Sequence, residues 1–272
     1  MLTQRVPQWA LAAGIAAVLS LAACTPKLTS TDAAAESRPD LRVGVTPNYP
    51  PLAFRQNGQI MGVEPQFARK LGLVLGVRVT LVELPWEQLI PALRDHRIDV
   101  IMSGMSITDE RQQLVTFVHP YLRVGQMMAL RRADAKRFPN AAAANRKTTR
   151  VGFVTGTTGE TYVRQHLQRA HSEGFDAADA AVTALRAKSI DVFIHDSPSI
   201  WRITAPENDP QHELLGRYEP LTKEHLAWAV RKDDAQLLTR LNTVLAKWNA
   251  EGALDDMLSD WIKIKREQPR AK

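Results

Sequence analysis

The sequence predicts an α/β fold with two lobes, each a mainly parallel sheet flanked by helices. From residue 41 onward, short apolar runs alternate with amphipathic stretches, which is the pattern of strands connected by helical crossovers. A short series of motifs also occurs twice in the same order. The length of 272 residues is sufficient for two such lobes.

The first elements are a strand, a loop and a helix. Residues 41–45 are mostly apolar and predict the strand, and the prolines within residues 46–51 end it in a loop. Glu64 and Pro65 begin the helix, because proline is tolerated in the first helical turn. The inward face of this helix is predicted to carry Phe67, Leu71 and Val74.

The same alternation continues along the chain. Residues 77–83 predict a second strand, and Pro85 begins a helix that ends near Arg94. Residues 98–102 then form a short buried strand. Residues 234–264 predict two helices that are separated at Gly252 and pack their leucines and tryptophans on the first lobe.

An internal repeat supports two lobes of similar plan. The first repeated unit is Ala92-Leu93-Arg94 with Ile98-Asp99-Val100. It recurs as Ala184-Leu185-Arg186 with Ile190-Asp191-Val192. The second is Arg42-Val43-Gly44, answered by Arg150-Val151-Gly152. The spacing within the first unit is the same in both copies. Residues 121–131 and 221–230 are predicted to cross between the lobes.

The stretch from Ser103 to Arg111 predicts a clamp for a carboxylate. Ligands of open α/β sheets bind beyond the carboxyl ends of the strands, and this stretch follows one. Thr108 is a predicted helix N-cap with Arg111 one turn later. The guanidinium can hold a carboxylate by two parallel hydrogen bonds, while Gly104 and Ser106 add neutral donors, as does Ser103. The alternative is a surface arginine paired with a neighbouring acid.

The second lobe supplies two further candidates. Gly156, Thr157, Thr158 and Gly159 lie between a strand and a helix, so their backbone N–H groups form a second anion site. A tight turn is the alternative. Asp196 follows an apolar strand and can bind an ammonium group, or it caps the next helix. Two aromatic residues can enclose a ligand side chain or belong to the core: Tyr49 and Trp86.

No sequence motif indicates an enzyme or a metal site. The chain lacks G-x-S-x-G, H-E-x-x-H, the P-loop pattern and G-x-G-x-x-G. His195, Asp196 and Ser197 are consecutive, and consecutive residues do not readily form a catalytic triad. Cys24 is the only cysteine, which excludes an intramolecular disulfide and a thiolate cluster. We therefore expect no metal and no cofactor.

The N-terminus predicts a secreted lipoprotein. Arg5 precedes a mostly apolar run at residues 10–21 that is too short for a permanent membrane span. Leu-Ala-Ala-Cys at residues 21–24 matches a lipobox. We predict a signal peptide at 1–23, a lipid-modified, palmitate-bearing Cys24 and a flexible tether at 24–40. The alternative is an ordinary signal peptide with an incidental cysteine.

The basic composition predicts a surface that lies near anionic lipid headgroups. The net charge is +6, and removal of Arg5 with the signal peptide lowers it by one. Scattered charges, 6% aromatic residues and the secreted context argue against nucleic acid as a partner. Basic residues near the C-terminus extend this surface: Lys263, Lys265, Arg266, Arg270 and Lys272.

Taken together, the motifs resemble the family 3 periplasmic solute-binding proteins, the polar amino acid receptors of ABC transporters. The resemblance runs from about Leu41 to Ile264. It rests on L-R-V-G-V-T-P-N-Y-P-P-L-A-F, P-W-E-Q-L-I-P-A-L, I-D-V-I-M-S-G-M-S-I-T-D-E-R, V-G-F-V-T-G-T-T-G-E, I-D-V-F-I-H-D-S-P and D-W-I. It implies a type II periplasmic-binding-protein clamshell, with lobe 1 at 41–125 and 222–272 and lobe 2 at 126–221. It also implies a monomer at the periplasmic face of a bacterial membrane.

The resemblance further implies roles for the site residues. The ligand α-carboxylate would be held by Arg111, Ser106, Gly104 and the backbone of Thr158. Asp196 would take the α-ammonium group, and Tyr49 and Trp86 would enclose the side chain. Thr46 stands where many members have an acid, and Val154 where the glutamine receptor has a lysine. These departures predict a ligand with an uncharged or moderately apolar side chain.

The resemblance implies a lipid-anchored receptor that delivers an amino acid to an ABC permease without covalent chemistry. A rival interpretation is an enzyme similar to cyclohexadienyl dehydratase, which shares this fold and which this chain resembles at the clamp and at residues 120–123. That enzyme would require a catalytic acid shortly after Asp196, where this chain has Ser197, Pro198 and Ser199. A third interpretation is a sensory subunit that presents the ligand to a receptor kinase.

Overall fold

Residues 39–262 are described by the computed structural model. The predictions for the signal peptide at 1–23, for Cys24, for the tether as far as residue 38 and for the basic residues from Lys263 to Lys272 lie outside this range. Within it, two five-stranded sheets flanked by helices form two lobes, which confirms the predicted fold class. None of the described helices is long and apolar enough to cross a membrane.

The strands and helices follow one another in the predicted alternation. The strands are β1 (Asp40–Val45), β2 (Asn48–Tyr49), β3 (Ala53–Gln56), β4 (Gln59–Met61), β5 (Arg78–Glu83), β6 (Val100–Ile101), β7 (Thr116–Phe117), β8 (Leu122–Val124), β9 (Gln126–Arg131), β10 (Arg150–Val154), β11 (His171–Phe175), β12 (Val192–Asp196), β13 (Leu214–Arg217), β14 (Glu224–Leu226) and β15 (Ala229–Val230). The α-helices are α1 (Val63–Leu75), α2 (Leu89–Arg94), α3 (Asp109–Gln112), α4 (Thr158–His166), α5 (Ala178–Arg186), α6 (Ser197–Ile203), α7 (Ala235–Ala250) and α8 (Ala253–Ser259). Short 3₁₀ helices cover Trp86–Gln88, Arg132–Asp134 and Ala141–Ala144.

Both sheets are mainly parallel, as predicted, and each contains one strand that runs antiparallel to the others. The first sheet has the order β5-β1-β6-β15-β7, with β1 parallel to its neighbours and β15 antiparallel to its neighbours. The second has the order β11-β10-β12-β9-β13, with β10 parallel and β9 antiparallel to their neighbours. Both β15 and β9 enter directly from segments that cross between the lobes. Parallel neighbours need a crossover connection between them, and these two strands do not follow one.

The internal repeat corresponds to the same structural motif in both lobes. Asp99 precedes β6 and accepts hydrogen bonds from the backbone N–H of Arg42 on β1 at 2.9 Å and from its Nη2 at 2.7 Å. Asp191 precedes β12 and accepts the same two bonds from Arg150 on β10, at 2.9 and 3.2 Å. In each lobe one carboxylate therefore joins the starts of two adjacent parallel strands.

The C-terminal helices pack on the first lobe as predicted. Helix α7 ends just before Gly252 and α8 begins just after it. Leu241 and Trp248 of α7 are buried in the same apolar cluster as Phe67 of α1 and Trp228. The rings of Phe67 and Trp228 lie edge to face, 5.7 Å apart. This aromatic core supports the strand ends that carry the candidate site.

Two antiparallel strands, β8 and β14, connect the lobes. Val124 pairs with Glu224, and Leu122 pairs with Leu226. These strands lie within residues 121–131 and 221–230, the segments that the sequence predicts to cross. The lobe boundaries themselves, 41–125 with 222–272 and 126–221, stay a prediction.

Two local predictions are wrong. Val74 is 46% exposed, because α1 faces β5 with Gly72 and the partly buried Leu75 instead. The approach at Gly72 is so close that a side chain there would have no space beside Val79. Residues 46–51 are not all loop, since Asn48–Tyr49 pairs with Ala53–Gln56 as part of a small three-stranded sheet. The pairing depends on a partner that the local sequence does not reveal.

Candidate functional site

A cavity between the two lobes brings the predicted site residues together. The empty space of this cavity, including its open mouth, is about 500 Å³. All nine predicted residues line it: Tyr49, Trp86, Ser103, Gly104, Ser106, Arg111, Thr157, Thr158 and Asp196. The remaining lining residues are Thr46, Asn48, Val154, Asp176, Ala178 and His195.

Arg111 is fixed at the start of α3 by the predicted cap. The Thr108 hydroxyl accepts a hydrogen bond of 3.2 Å from the backbone N–H of Arg111. The guanidinium donates to the carbonyl oxygens of Ser106 at 2.8 Å and Gly156 at 3.2 Å, and lies 5.3 Å from the centre of the Trp86 ring. Among the described residues it forms no ion pair with a neighbouring acid, contrary to the alternative raised by the sequence.

The environment of Arg111 is partly desolvated and carries negative charge. Burial lowers the pKa of the guanidinium, while the charges of Asp196 and Glu224 act in the opposite direction. Arginine keeps its charge in proteins under such shifts. A cation with unused N–H donors therefore faces the cavity, as recognition of a carboxylate requires.

Trp86 and Gly156 join the walls of the cavity. The indole N–H of Trp86, from the first lobe, donates to the Gly156 carbonyl oxygen of the second at 2.9 Å. Arg111 donates to the same oxygen. The loop before α4 thus meets both a cation and an aromatic side chain of the first lobe, and the lobes are closed on each other.

Asp196 lies at the end of β12 and faces the cavity rather than capping α6. Its side chain accepts no hydrogen bond from the N-terminal turn of that helix. It accepts instead from the Tyr49 hydroxyl and from Nε2 of Gln126. Burial, and then the charge of Glu224, raise the pKa of Asp196 to about 7, although the bonds from Tyr49 and Gln126 lower it. The helix-cap alternative therefore does not describe this side chain.

The backbone N–H of Gly104 is already used by a buried acid. It donates at 2.7 Å to the carboxylate of Glu64, which also accepts from the Tyr121 hydroxyl at 2.6 Å and the Trp228 indole at 2.9 Å. Gly104 has φ of +68°, which turns the chain at this point. This N–H cannot donate to a ligand carboxylate at the same time, so the role implied for it does not fit the observed bond.

The loop before α4 also uses part of its hydrogen-bonding capacity internally. The N–H of Gly156 donates to Glu160 at 2.7 Å, and the Thr157 hydroxyl donates to the Val154 carbonyl oxygen at 2.6 Å. The Thr158 hydroxyl donates to Glu224 at 2.7 Å. These bonds fix the loop at the edge of the cavity. Only the first of them uses a backbone N–H group of the loop.

His195 is a buried, neutral member of the cavity wall. Burial lowers its pKa to about 4. Its Nδ1 accepts a hydrogen bond of 2.8 Å from the N–H of Asp196, and its ring meets that of Tyr49 edge to face at 5.2 Å. A neutral imidazole whose Nδ1 accepts carries its proton on Nε2.

Sequence reasoning missed Glu64, Gln126 and Glu224. All three are single polar residues without a motif, and their contacts come from other parts of the chain. Glu64 stands at the start of a predicted helix, while Gln126 and Glu224 stand in the two segments predicted to cross between the lobes. For Gln126 and Glu224, their place in these crossing segments is the one signal in the sequence that could have identified them. Among the described residues, no three His, Cys, Asp or Glu side chains are grouped to hold a metal ion.

Known proteins are similar to this chain in both sequence and structure. The chain is 27% identical over 228 residues to the L-cystine-binding protein TcyJ of Escherichia coli K12, covering 84% of each chain. It is 28% identical to ABC transporter arginine-binding protein 1 of the same strain, covering 90% of this chain and 98% of that one. These relatives are named as binding proteins.

Two solved structures have the same fold. One is the ancestral amino acid-binding protein AncCDT-1, described as a precursor of cyclohexadienyl dehydratase, with a TM-score of 0.77, 30% identity and coverage of 82% of this chain and 95% of that one. The other is a putative ABC transporter binding component from Wolinella succinogenes complexed with lysine, with a TM-score of 0.78, 29% identity and coverage of 85% and 98%. The family model for bacterial extracellular solute-binding proteins, family 3, matches residues 41–264. The chain belongs to that family.

Proposed function

We propose that this protein is a lipid-anchored extracytoplasmic receptor that closes its two lobes on an amino acid and delivers it to an ABC permease. The proposal combines the N-terminal lipobox with the cavity between the lobes. Relatives named for binding cystine, arginine and histidine support an amino acid as the ligand. The N-terminal lipid holds the receptor at the periplasmic face of a membrane.

The observation that carries the proposal is a pair of opposite charges on opposing walls. Arg111, from the first lobe, and Asp196, from the second, line the same cavity. The α-carboxylate and α-ammonium groups of an amino acid match these charges in sign. A micromolar dissociation constant requires about 8 kcal/mol. One bidentate arginine, one buried ion pair and enclosure by two aromatic side chains supply that energy after the cost of closure.

The side chain of the ligand would contact the wall that carries Thr46 and Val154. The Thr46 hydroxyl already donates to the Leu84 carbonyl oxygen at 2.8 Å and Val154 is apolar, so neither residue presents a charge to the cavity. This supports the predicted uncharged side chain. Asp176 also lines the cavity and would favour a cationic side chain. A complete amino acid screen distinguishes the two.

The test is a thermal-shift screen of residues 24–272 against the twenty amino acids and L-cystine. A ligand at 100 times its dissociation constant adds about 2.7 kcal/mol, which corresponds to a rise in melting temperature of roughly 5–10 °C for a chain of this size. We expect at least one amino acid to produce such a rise. Arg111→Ala should abolish it, whereas Arg94→Ala, which removes the same charge from an exposed site, should not. Absence of any shift in the wild-type protein would refute the proposal.

A second candidate function is a dehydratase, because one neighbouring structure is described as a precursor of cyclohexadienyl dehydratase. Asp196, with its pKa near 7, could exchange a proton at neutral pH. Ser199, one of the residues that stand where such an enzyme would need a second acid, donates to the Pro50 carbonyl oxygen at 3.2 Å. Turnover of prephenate or arogenate above the rate of the Asp196→Asn variant would support the enzyme.

The lipid anchor and the delivery step have separate tests. Cys24→Ser should move the protein from the membrane fraction to the soluble periplasmic fraction while leaving amino acid binding unchanged. Loss of amino acid uptake on deletion of the gene would support delivery to a permease. Intact uptake with loss of a transcriptional response to the amino acid would favour the sensory interpretation instead.

A further inference from the structure

Glu224 accepts hydrogen bonds from both lobes behind the cavity wall. Its Oε2 accepts from the hydroxyls of Ser106 and Thr158, each at 2.7 Å. Its Oε1 accepts from the Thr222 hydroxyl at 2.6 Å and from Nε2 of Gln126 at 3.2 Å. A carboxylate has about four lone-pair sites, and these four donors occupy them. Glu224 itself is not among the residues that line the cavity.

These bonds fix the direction of two hydroxyl protons. A hydroxyl has one hydrogen, and an ionised carboxylate can only accept, so Ser106 and Thr158 both give their hydrogen to Glu224. Toward the cavity, which both residues line, each hydroxyl can offer only lone pairs. The two side chains therefore cannot donate to a ligand carboxylate while these bonds persist.

Gln126, in the second lobe, forms hydrogen bonds with the same group of side chains. The two hydrogens of its Nε2 reach three acceptors, Asp196, Thr158 at 3.0 Å and Glu224 at 3.2 Å, so one hydrogen is shared between two of them, while its Oε1, which is buried, has no partner. Turning the amide around would point that oxygen at two carboxylates. The bond to Thr158 occupies one hydroxyl lone pair and leaves the other for the cavity.

We propose that Glu224 is a positioning residue that turns the Ser106 and Thr158 hydroxyls into acceptors for the α-ammonium group of the ligand. Asp196 is the third acceptor, so three acceptors face the three N–H bonds of a primary ammonium group. Recognition of the carboxylate then falls to Arg111 and to backbone N–H groups. This proposal rests on the proposed function, since it assigns the chemistry of the same site.

The experiment measures discrimination against a methylated amine. Calorimetric dissociation constants are determined for each of the twenty amino acids and L-cystine that binds, and for its Nα-methyl derivative. Methylation replaces one N–H that the acceptors would receive, so we expect the wild-type protein to bind the methylated form at least about 10-fold more weakly. Glu224→Gln introduces an amide N–H that competes with the hydroxyl protons. We expect this substitution to weaken binding of the parent amino acid at least about 10-fold. The difference in affinity between the parent and its Nα-methyl derivative should fall to about 3-fold or less.

Two comparisons separate this role from a general loss of structure. Glu219→Gln makes the same chemical change at an exposed position of the preceding loop, and it should retain wild-type affinity and discrimination. In a Ser106→Ala/Thr158→Val background, Glu224→Gln should change affinity by less than about 3-fold, because the hydroxyls through which it acts are absent. Melting temperatures without ligand report whether each variant is folded.

The possible failures are distinguishable. If the wild-type protein binds no amino acid, the proposed function fails and the role of Glu224 falls with it. If the wild-type protein binds but folded Glu224→Gln keeps both its affinity and its discrimination, only the role of Glu224 is refuted. An equally large effect of Glu224→Gln in the double-variant background would also refute it.

Discussion

The backbone N–H of Gly104 donates a hydrogen bond of 2.7 Å to the carboxylate of Glu64, which is fully buried. The same carboxylate receives the Tyr121 hydroxyl and the Trp228 indole, which lie next to the two strands that connect the lobes. One acid thus joins the turn that carries the predicted clamp to both connecting segments. Its protonation state bears on both the stability of the first lobe and the geometry of the site.

The buried Glu64 should make stability depend on pH. Burial raises its pKa from 4.5 to about 7, although the hydrogen bonds from Tyr121, Gly104 and Trp228 lower it. Because the folded-state pKa lies above the unfolded one, this contribution to stability is complete below about pH 4.5 and is lost as the pH rises through 7. We expect the free energy of unfolding of Glu64→Gln to fall less between pH 5 and 8 than that of the wild type, by about 1–3 kcal/mol.

Urea denaturation at several pH values measures this difference. Glu87→Gln is the matched control, because Glu87 is exposed and its replacement should leave the pH profile unchanged. Parallel profiles for Glu64→Gln and the wild type would show that Glu64 does not titrate in this range.

Amino acid affinity should rise with pH through the titration of Asp196. Burial and the charge of Glu224 raise its pKa to about 7, and only the ionised form attracts an ammonium group. His195, whose pKa is lowered to about 4, stays neutral in this range. For the amino acid with the largest thermal shift, we expect the dissociation constant to increase toward about 10-fold per unit below pH 6 and to level off above pH 8.

Calorimetry between pH 5.5 and 8.5, in buffers of different ionisation enthalpy, reports both the affinity and the release of a proton. Asp196→Asn should bind about 30-fold or more weakly at pH 8 and lose the pH dependence. A pH dependence that persists in Asp196→Asn would assign it to another group.

The two copies of the repeated Asp–Arg motif should differ in their contribution to stability. The side chain of Asp191 is 3% exposed and contacts Arg131, Arg137 and Arg150, whereas that of Asp99 is 18% exposed. Burial opposes ionisation of both acids, yet the hydrogen bonds from arginine keep the pKa of each below its usual value. We expect Asp191→Asn to cost about 3 kcal/mol and Asp99→Asn about 1–2 kcal/mol.

Equilibrium unfolding in urea at pH 7 gives both values. Because both pKa values are lowered, the contribution of each acid is present above about pH 4 and is lost as the pH falls further. The two variants should therefore differ least from the wild type under acidic conditions. A larger cost for Asp99→Asn would contradict the ranking by burial.

Gly104 should tolerate no side chain, for a reason beyond its backbone conformation. A Cβ atom there would lie 2.8 Å from the ring of Tyr49 and 2.7 Å from Leu52. Gly58 also has positive φ, at +78°, but a Cβ atom there would meet nothing within 4 Å. Gly58→Ala should therefore cost about 1 kcal/mol of strain, and Gly104→Ala about 3 kcal/mol together with at least a 10-fold loss of affinity.

Melting temperatures and calorimetric titrations of the two alanine variants provide the comparison. Equal effects of the two substitutions would mean that the Tyr49 ring yields without affecting the site.

Much of the fold was predictable from the sequence because its signals are local. The cap at Thr108, the break at Gly252 and the repeated strand motifs depend on neighbouring residues, and the structure confirms them. The prediction that Val74 is buried was wrong because its exposure is not a local property. It depends on how closely α1 approaches β5 at Gly72. The sequence predicted mainly parallel sheets correctly but did not identify the one reversed strand in each, because the direction of β15 and β9 follows from the crossing between lobes.

By itself, the sequence determined the order of the elements, the two-lobed class, the position of Arg111 in the stretch that follows a strand and the position of Asp196 at a strand end. Apolar periodicity and strand ends are properties of short stretches, which is why the sequence shows them. Only the tertiary structure decided which atoms those residues meet. Glu64 and Gly104 are 40 positions apart, and Ser106 and Glu224 are 118 positions apart. No local pattern records such a pairing, because a single buried carboxylate acquires its donors only when distant segments fold against it. In the stretch from Ser103 to Arg111, the sequence accordingly shows where the cation lies, whereas the fold determines which groups donate and which accept hydrogen bonds.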